Sequence, residues 1–219
     1  MPERAVLLDL YDTVAFSDWA GWREELASLT GLDPDAIGMA YHETRPARSV
    51  GAYPTPDDDM RALLAAAGIA DRDPALVRSL VEAEATFGND QVHLYDDSLT
   101  TVVALRAQGT KTALVSNCSN ATRAIVERLG LVDAFDAIVL SFEVGARKPQ
   151  PRIYEAALAA LAAAPGDAVF VDDQTAYCDG ARALGMDTRL IVRDGAQPAE
   201  GFAASTNGHT VITDLTSLL

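Results

Sequence analysis

Four places in this 219-residue sequence join a short apolar run to groups that can do polar chemistry. AVLLD ends in Asp9, with Thr13 four residues on. TALVSN ends in Ser116 and Asn117, GARKPQPRIY carries Lys148, and AVFVDD ends in Asp172 and Asp173. Each has an ordinary reading alone: Ser-Asn caps a helix, Lys-Pro is a solvated loop, Asp-Asp is surface. Four in order at successive strand ends are harder to dismiss, because an open parallel sheet binds its ligands at the carboxyl ends of its strands. Brought there together, Asp9, Asp172 and Asp173 would meet one ammonium. Two like charges 4 Å apart repel by about 4 kcal/mol at an effective dielectric near 20. The surplus therefore favours a divalent cation or a raised carboxyl pKa.

The elements that must position these groups follow from the apolar pattern. Buried strands are expected at 5–9, 112–116, 137–141, 168–172 and 188–192, with a weaker one at 209–213. Between them, helical periodicity with capping residues and glycine stops marks 98–109, 120–130, 151–163 and 178–185. This alternation predicts an α/β fold, a Rossmann-like doubly wound parallel sheet built from residues 1–16 and 96–219. Residues 17–95 break it. They carry only helical patterns, at 17–31, 33–45, 55–68 and 73–87, each opening on Ser, Thr or Asp. An all-helical domain inserted there would cap the carboxyl end of the first strand. Residues 198–208 read as a loop.

Bulk properties narrow the function classes. Hydrophobic residues make up 49% and charged residues 22%, with a formal net charge of -15. A chain this acidic repels nucleic acid and anionic membranes, so neither is expected as a partner. No apolar run approaches the roughly 18 residues of a membrane span. Two cysteines, Cys118 and Cys178, and a start without signal-peptide character predict a reduced, cytoplasmic protein, monomer or homodimer. His42, His93 and His209 are scattered without ligand spacing, and Trp19 and Trp22 share a helix face that suits the core of the insertion.

The order hhhDxxxT, strand-Ser-Asn, Lys-Pro and hhhDD followed by GARALGM resembles the haloacid dehalogenase-like superfamily, over nearly the whole chain. The resemblance implies covalent catalysis on a small anionic substrate. Asp9 would be the nucleophile. Thr13 and Ser116 would hydrogen-bond the substrate anion or the nucleophile, Asn117 would position that loop, and Lys148 would hold the negative charge together. In the family's phosphatases Mg2+ is bound by the nucleophile, by the carbonyl two residues later and by the acidic pair. Here those are Asp9, Tyr11 (through its carbonyl), Asp173 and, as ligand or support, Asp172.

Tyr11 is the departure. The family's phosphatases carry a second aspartate there as general acid and base, and loss of such a group costs about 10²–10⁴ in rate. A tyrosine, with a reference pKa of about 10, is a weak base at neutral pH, and Asp12 next door is expected to point elsewhere. The family's dehalogenases do carry tyrosine at this place, in Asp-Leu-Tyr-Gly-Thr; a departing halide needs no proton. Tyr154 and an arginine of the inserted segment, Arg45 or Arg48, would then serve as substrate-binding residues. The fourth motif points the other way, since the dehalogenases have Ser-Ser-Asn where this chain has Asp172, Asp173 and Gln174, and their later aspartate aligns with Tyr177. The expected function is thus a magnesium-dependent phosphatase or phosphotransferase. A 2-haloacid dehalogenase is the alternative, and a catalytically weak ligand-binding relative the third reading.

Overall fold

The computed structural model describes residues 5–69, 73–193 and 206–219. The loop expected at 198–208 therefore lies outside the described residues except for its last three, as does the chain start at Met1–Arg4. Six strands form one parallel sheet: β1 (Ala5–Leu8), β4 (Lys111–Ser116), β5 (Ala137–Leu140), β6 (Ala168–Asp172), β7 (Asp187–Ile191) and β8 (Thr210–Ile212), in the order β5-β4-β1-β6-β7-β8. The chain leaves β1 for β4 and β5 on one side, then crosses to β6 on the other. The switch point thus falls at β1, where a ligand crevice is expected.

Both faces of β1 are buried, and its side chains alternate between two cores. Val6 and Leu8 join Val169, Val171 and Leu114 on one face, where α5 (Ser98–Ala107) and α6 (Thr122–Arg128) pack through Val102, Leu105 and Ile125. Ala5 and Leu7 join Phe170, Ala113 and Val115 on the other, covered by α9 (Pro151–Leu161) and α10 (Thr175–Ala183). This is the period-2 side-chain alternation of a strand. It explains why β1 reads as a continuous apolar run.

Between β1 and β4 lie α1 (Trp19–Thr30), α2 (Pro34–Arg48), α3 (Pro56–Ala66) and α4 (Pro74–Asp90). Asp18, Asp33, Thr55 and Asp73 cap them with side-chain bonds to backbone N–H groups, and proline opens the last three. The four helices share their own apolar core, with Trp22, Leu26, Ile37, Met60, Leu63, Val77 and Leu80 at its centre. Two features differ from the sequence expectation. A two-stranded antiparallel ribbon, β2 (Ala15–Ser17) with β3 (Val92–Leu94), joins the helical unit to the sheet at both crossings. Three-residue strands are too short to show a period, so 92–94 carried no strand signal. In addition, α2 runs through Pro46 to Arg48 instead of stopping at 45. Proline removes one donor from the ladder, and here the rest of the last turn persists. Among the described residues no helix is long and apolar enough to cross a membrane.

Candidate active site

The carboxyl ends of β1, β4 and β6 bring the sequence-selected groups together around Lys148. Its ammonium donates to Asp9 Oδ1 at 2.5 Å, to Asp172 Oδ2 at 2.7 Å and to the Val115 carbonyl at 3.0 Å. All three protons are used, and the side chain is fully buried. Burial alone would push the lysine pKa down; Asp172 and then Asp9 outweigh it and hold the group charged, above its usual range. Asn117 positions the lysine through its backbone: its amide donates to the Lys148 carbonyl at 3.0 Å, and its Oδ1 accepts the Lys148 N–H at 2.7 Å. Gly180 of α10 lets this loop approach, since a Cβ there would stand 2.8 Å from Pro149 Cβ and 2.9 Å from the Tyr154 hydroxyl.

Asp9, Asp172 and Asp173 each present a carboxylate oxygen within 4.8 Å of the others. Three carboxylates against one ammonium is the imbalance expected from the sequence. Burial pushes Asp172 well above the usual carboxylate range despite Lys148, and burial together with Asp9 raises Asp173 to about 7. The two are placed differently. Both Asp172 oxygens are engaged, one by Lys148 and the other by the Gln174 N–H at 2.8 Å. Asp173 is half-buried and accepts a bond from the Gln174 side chain. Asp172 therefore sits as a support of Lys148, and Asp173 is the acid of the pair that faces outward from it.

These shifts fix a pH dependence. Asp173 at about 7 and Asp12 at about 6 hold protons in the metal-free folded state that the unfolded chain, near pKa 4, has released. Between about pH 4 and 7 the native state binds more protons, so unfolding free energy falls as pH rises. In chelator, the thermal midpoint is expected to be higher at pH 5.5 than at pH 8; an equal or lower midpoint at pH 5.5 would contradict these shifts.

Thr13 Oγ1 and Ser116 Oγ are buried and have no hydrogen-bond partner among the described residues. A buried polar group without a partner costs about 1–3 kcal/mol, so the two hydroxyls, one in the loop after β1 and one at the end of β4, are open to an incoming hydrogen-bond partner. The Tyr11 hydroxyl lies 3.4 Å from Thr122 Oγ1, and burial pushes its pKa well above the tyrosine range. It stays protonated at neutral pH and is no base. Asp12, taken from the sequence as pointing away, adopts φ 58° and is half-buried; burial first and Asp9 second raise it to about 6. Asp12 is thus near enough to Asp9 to feel its charge, from a left-handed turn just beyond the strand.

Other expectations are corrected. Tyr154 is not at a substrate surface: it is fully buried, edge-on to Phe170 at 5.2 Å, and its hydroxyl donates to the Tyr177 carbonyl at 2.7 Å. It props α9 against α10 beneath Lys148. Arg45 is exposed on α2, while Arg48 is buried and already paired, with Glu84 at 3.2 Å and Asp59 at 3.7 Å, its guanidinium 4.2 Å above the Tyr41 ring. Trp22 belongs to the helical core, stacked on Phe87, but Trp19 is 42% exposed and edge-on to Tyr41. Cys118 is buried and raised to about 11 by that burial, which removes it as a nucleophile. Sequence reasoning missed the Arg48–Glu84–Asp59 cluster, whose members lie on three helices and share no local pattern.

A family model for haloacid dehalogenase-like hydrolases matches residues 3–185. The chain belongs to this family, and it is a hydrolase of that class. A phosphatase from Mycobacterium tuberculosis is 32% identical over 126 residues, which cover 57% of this chain and 54% of that protein. The match thus spans about half the length of that relative. An (S)-2-haloacid dehalogenase from a Pseudomonas species is 27% identical over 100% of this chain and 97% of its own. Among solved structures, an L-2-haloacid dehalogenase from Xanthobacter autotrophicus superposes with a TM-score of 0.69 at 19% identity, covering 98% of this chain and 96% of that one, a likeness of fold.

Proposed function

We propose that this chain is a magnesium-dependent phosphatase or phosphotransferase acting on a small phosphorylated metabolite, with Asp9 as the nucleophile and α1–α4 as a cap over the crevice. The observation that carries the reading is the cluster of Asp9, Asp172 and Asp173 around one buried ammonium. A site that displaces halide from carbon has no use for that surplus of carboxylate. The oxygen donors suit a hard divalent cation: Asp9, Asp173 and the Tyr11 carbonyl would hold it, with Asp172 keeping Lys148 in place. The cation supplies neutralisation of phosphate charge. Asp9 attacks phosphorus, the ester P–O bond breaks, and the leaving oxygen keeps the electron pair; water then hydrolyses the aspartyl phosphate. Thr13 and Ser116 donate to the transferring oxyanion. Lys148 holds the Asp9 carboxylate in place through its ammonium.

The test is calorimetric titration with Mg2+ of wild type and Asp173→Ala, alongside turnover of an aryl phosphate with and without chelator. Binding lost in the variant and turnover lost in chelator support the reading; turnover indifferent to chelator defeats it. Tyr11→Asp is expected to raise phosphatase kcat by up to about 10²-fold, since it supplies the acid the first motif lacks. A fall in kcat would give the tyrosine a positive role.

A second reading, hydrolytic dehalogenation of a 2-haloacid, is favoured by Tyr11 and by the full-length relative. It predicts metal-independent halide release from 2-chloropropionate. Against it, Arg48 is neutralised by two carboxylates and Arg45 is exposed, which leaves the carboxylate-binding arginine without a candidate among these two.

A further inference from the structure

Arg193 follows β7 and lies eight residues beyond the stretch matched by the family model. The residue is 6% exposed, and its guanidinium grips the loop after β1. Nε and Nη2 both donate to the Thr13 carbonyl, at 3.1 and 2.6 Å, and Nη1 donates to Asp97 Oδ2 at 2.8 Å. Its face lies 4.1 Å from the centre of the Tyr95 ring, and Tyr95 packs on Phe16 at 5.2 Å. Asp97 Oδ2 is held in turn by the Leu215 N–H at 2.6 Å. One side chain thus joins the loop after β1, the return from β3 and the C-terminal turn. Both crossings between sheet and helical unit meet at it.

We propose that Arg193 is a positioning residue for the reaction, acting through Thr13. Two charge-assisted bonds to one carbonyl fix that peptide plane, and the plane sets where the buried, unpartnered Thr13 hydroxyl points. The neighbouring bonds complete the clamp: Val14 O accepts from Ser98 Oγ at 2.7 Å and from the Tyr95 N–H at 3.1 Å. Without the guanidinium the hydroxyl loses its aim while Asp9, anchored through its N–H to Val171 O at 3.0 Å, keeps its place. The assignment rests on Thr13 meeting the substrate anion, and it holds for attack at phosphorus or at carbon. Lysine is a poor substitute, because it lacks the planar fork.

The experiment measures kcat and KM on p-nitrophenyl phosphate with Mg2+ for Arg193→Ala, Arg193→Lys, Thr13→Ala and the Arg193→Ala/Thr13→Ala pair. It also follows amide hydrogen exchange at Asp12, Val14, Ala15 and Tyr95, with β1 as internal reference. Arg193→Ala is expected to lower kcat about 10–100-fold with KM within about threefold, the scale of a misplaced catalytic group. Arg193→Lys should fall between it and wild type. The double variant should be no slower than Thr13→Ala, and exchange at the four loop amides should accelerate at least about tenfold while β1 stays protected. An unchanged kcat in well-folded Arg193→Ala or Arg193→Lys overturns the proposal, as does a loss additive with Thr13→Ala. If Arg193→Ala does not fold, Arg193→Lys carries both readouts. If wild type turns over no phosphomonoester, the phosphatase reading fails by itself. Exchange then decides the clamp: equal protection of the four amides in Arg193→Lys and wild type overturns it.

Discussion

Asp9→Asn is expected to reduce turnover by at least about 10³–10⁴-fold on any substrate, because both proposed reactions pass through a covalent intermediate on this carboxylate, an acyl phosphate or an ester. An amide oxygen is a far weaker nucleophile, and two neighbours are unavailable: Asp172 is bonded on both oxygens and Cys118 stays protonated. The fold should survive. Lys148 keeps Asp172 at 2.7 Å and the Val115 carbonyl at 3.0 Å, and one of three crowded negative charges disappears. The same variant should therefore melt at the wild-type temperature or above it in chelator, the usual trade between stability and a strained site. Initial rates and a thermal scan check both halves. Residual turnover above about one part in 10³ would take the nucleophile's role from Asp9.

Much of this was legible in the sequence because the relevant signals are local. Each strand of the sheet is a short apolar run, and each chemical group sits at or just after the end of one, so order along the chain became proximity in space once the strands were parallel. Asp9, Thr13, Ser116, Asn117, Lys148, Asp172 and Asp173 are all read that way. What failed was whatever depends on a long-range contact or on a local backbone choice. Tyr154 matches a motif at the right spacing, but its burial depends on Phe170 and Tyr177. Arg48 and its two acids come from three helices. Arg193 follows an apolar strand with no accompanying pattern, and its partners are 180 and 96 residues away. Asp12 is a different case: its left-handed φ of 58° follows no residue pattern in the sequence, and it lies near enough to Asp9 to feel its charge.

The first and fourth motifs point to different chemistries, and the site geometry explains how one chain accommodates both. Tyr11 turns its hydroxyl toward Thr122 on α6 and packs its ring against the core below β1. Its side chain serves packing, and its backbone carbonyl stays available. The acidic end of β6 belongs to the Lys148 network. The two motifs make separate contacts, and replacing one does not dismantle the other. In the proposed reaction a changed first motif would alter proton delivery and leave the balance of charge around Lys148 untouched.

That balance makes Lys148→Met the most destabilising single change to expect. Among the described residues the ammonium is the one cation bonded to Asp9 and Asp172, at 1% side-chain exposure, and its loss leaves both carboxylates buried without it. Breaking a buried ion pair by removing one partner costs about 3–5 kcal/mol, and here one partner serves two acids. The sign of the pH effect follows. With the ammonium gone, Asp172 and Asp173 lose the charge that holds them down and move still further above their unfolded pKa, so the variant's stability rises as pH falls from about 8 toward 4 and its deficit against wild type narrows. Added Mg2+ should recover part of the loss at pH 8 by replacing the missing positive charge, provided Asp9 and Asp173 bind it. Urea unfolding of both proteins, in chelator and in Mg2+, at pH 5.5 and pH 8, separates these contributions. A variant as stable as wild type in chelator at pH 8 would mean that the three acids do not depend on this lysine. Their surplus would then have to be carried as bound protons, and the argument for a metal at this site would fall with it.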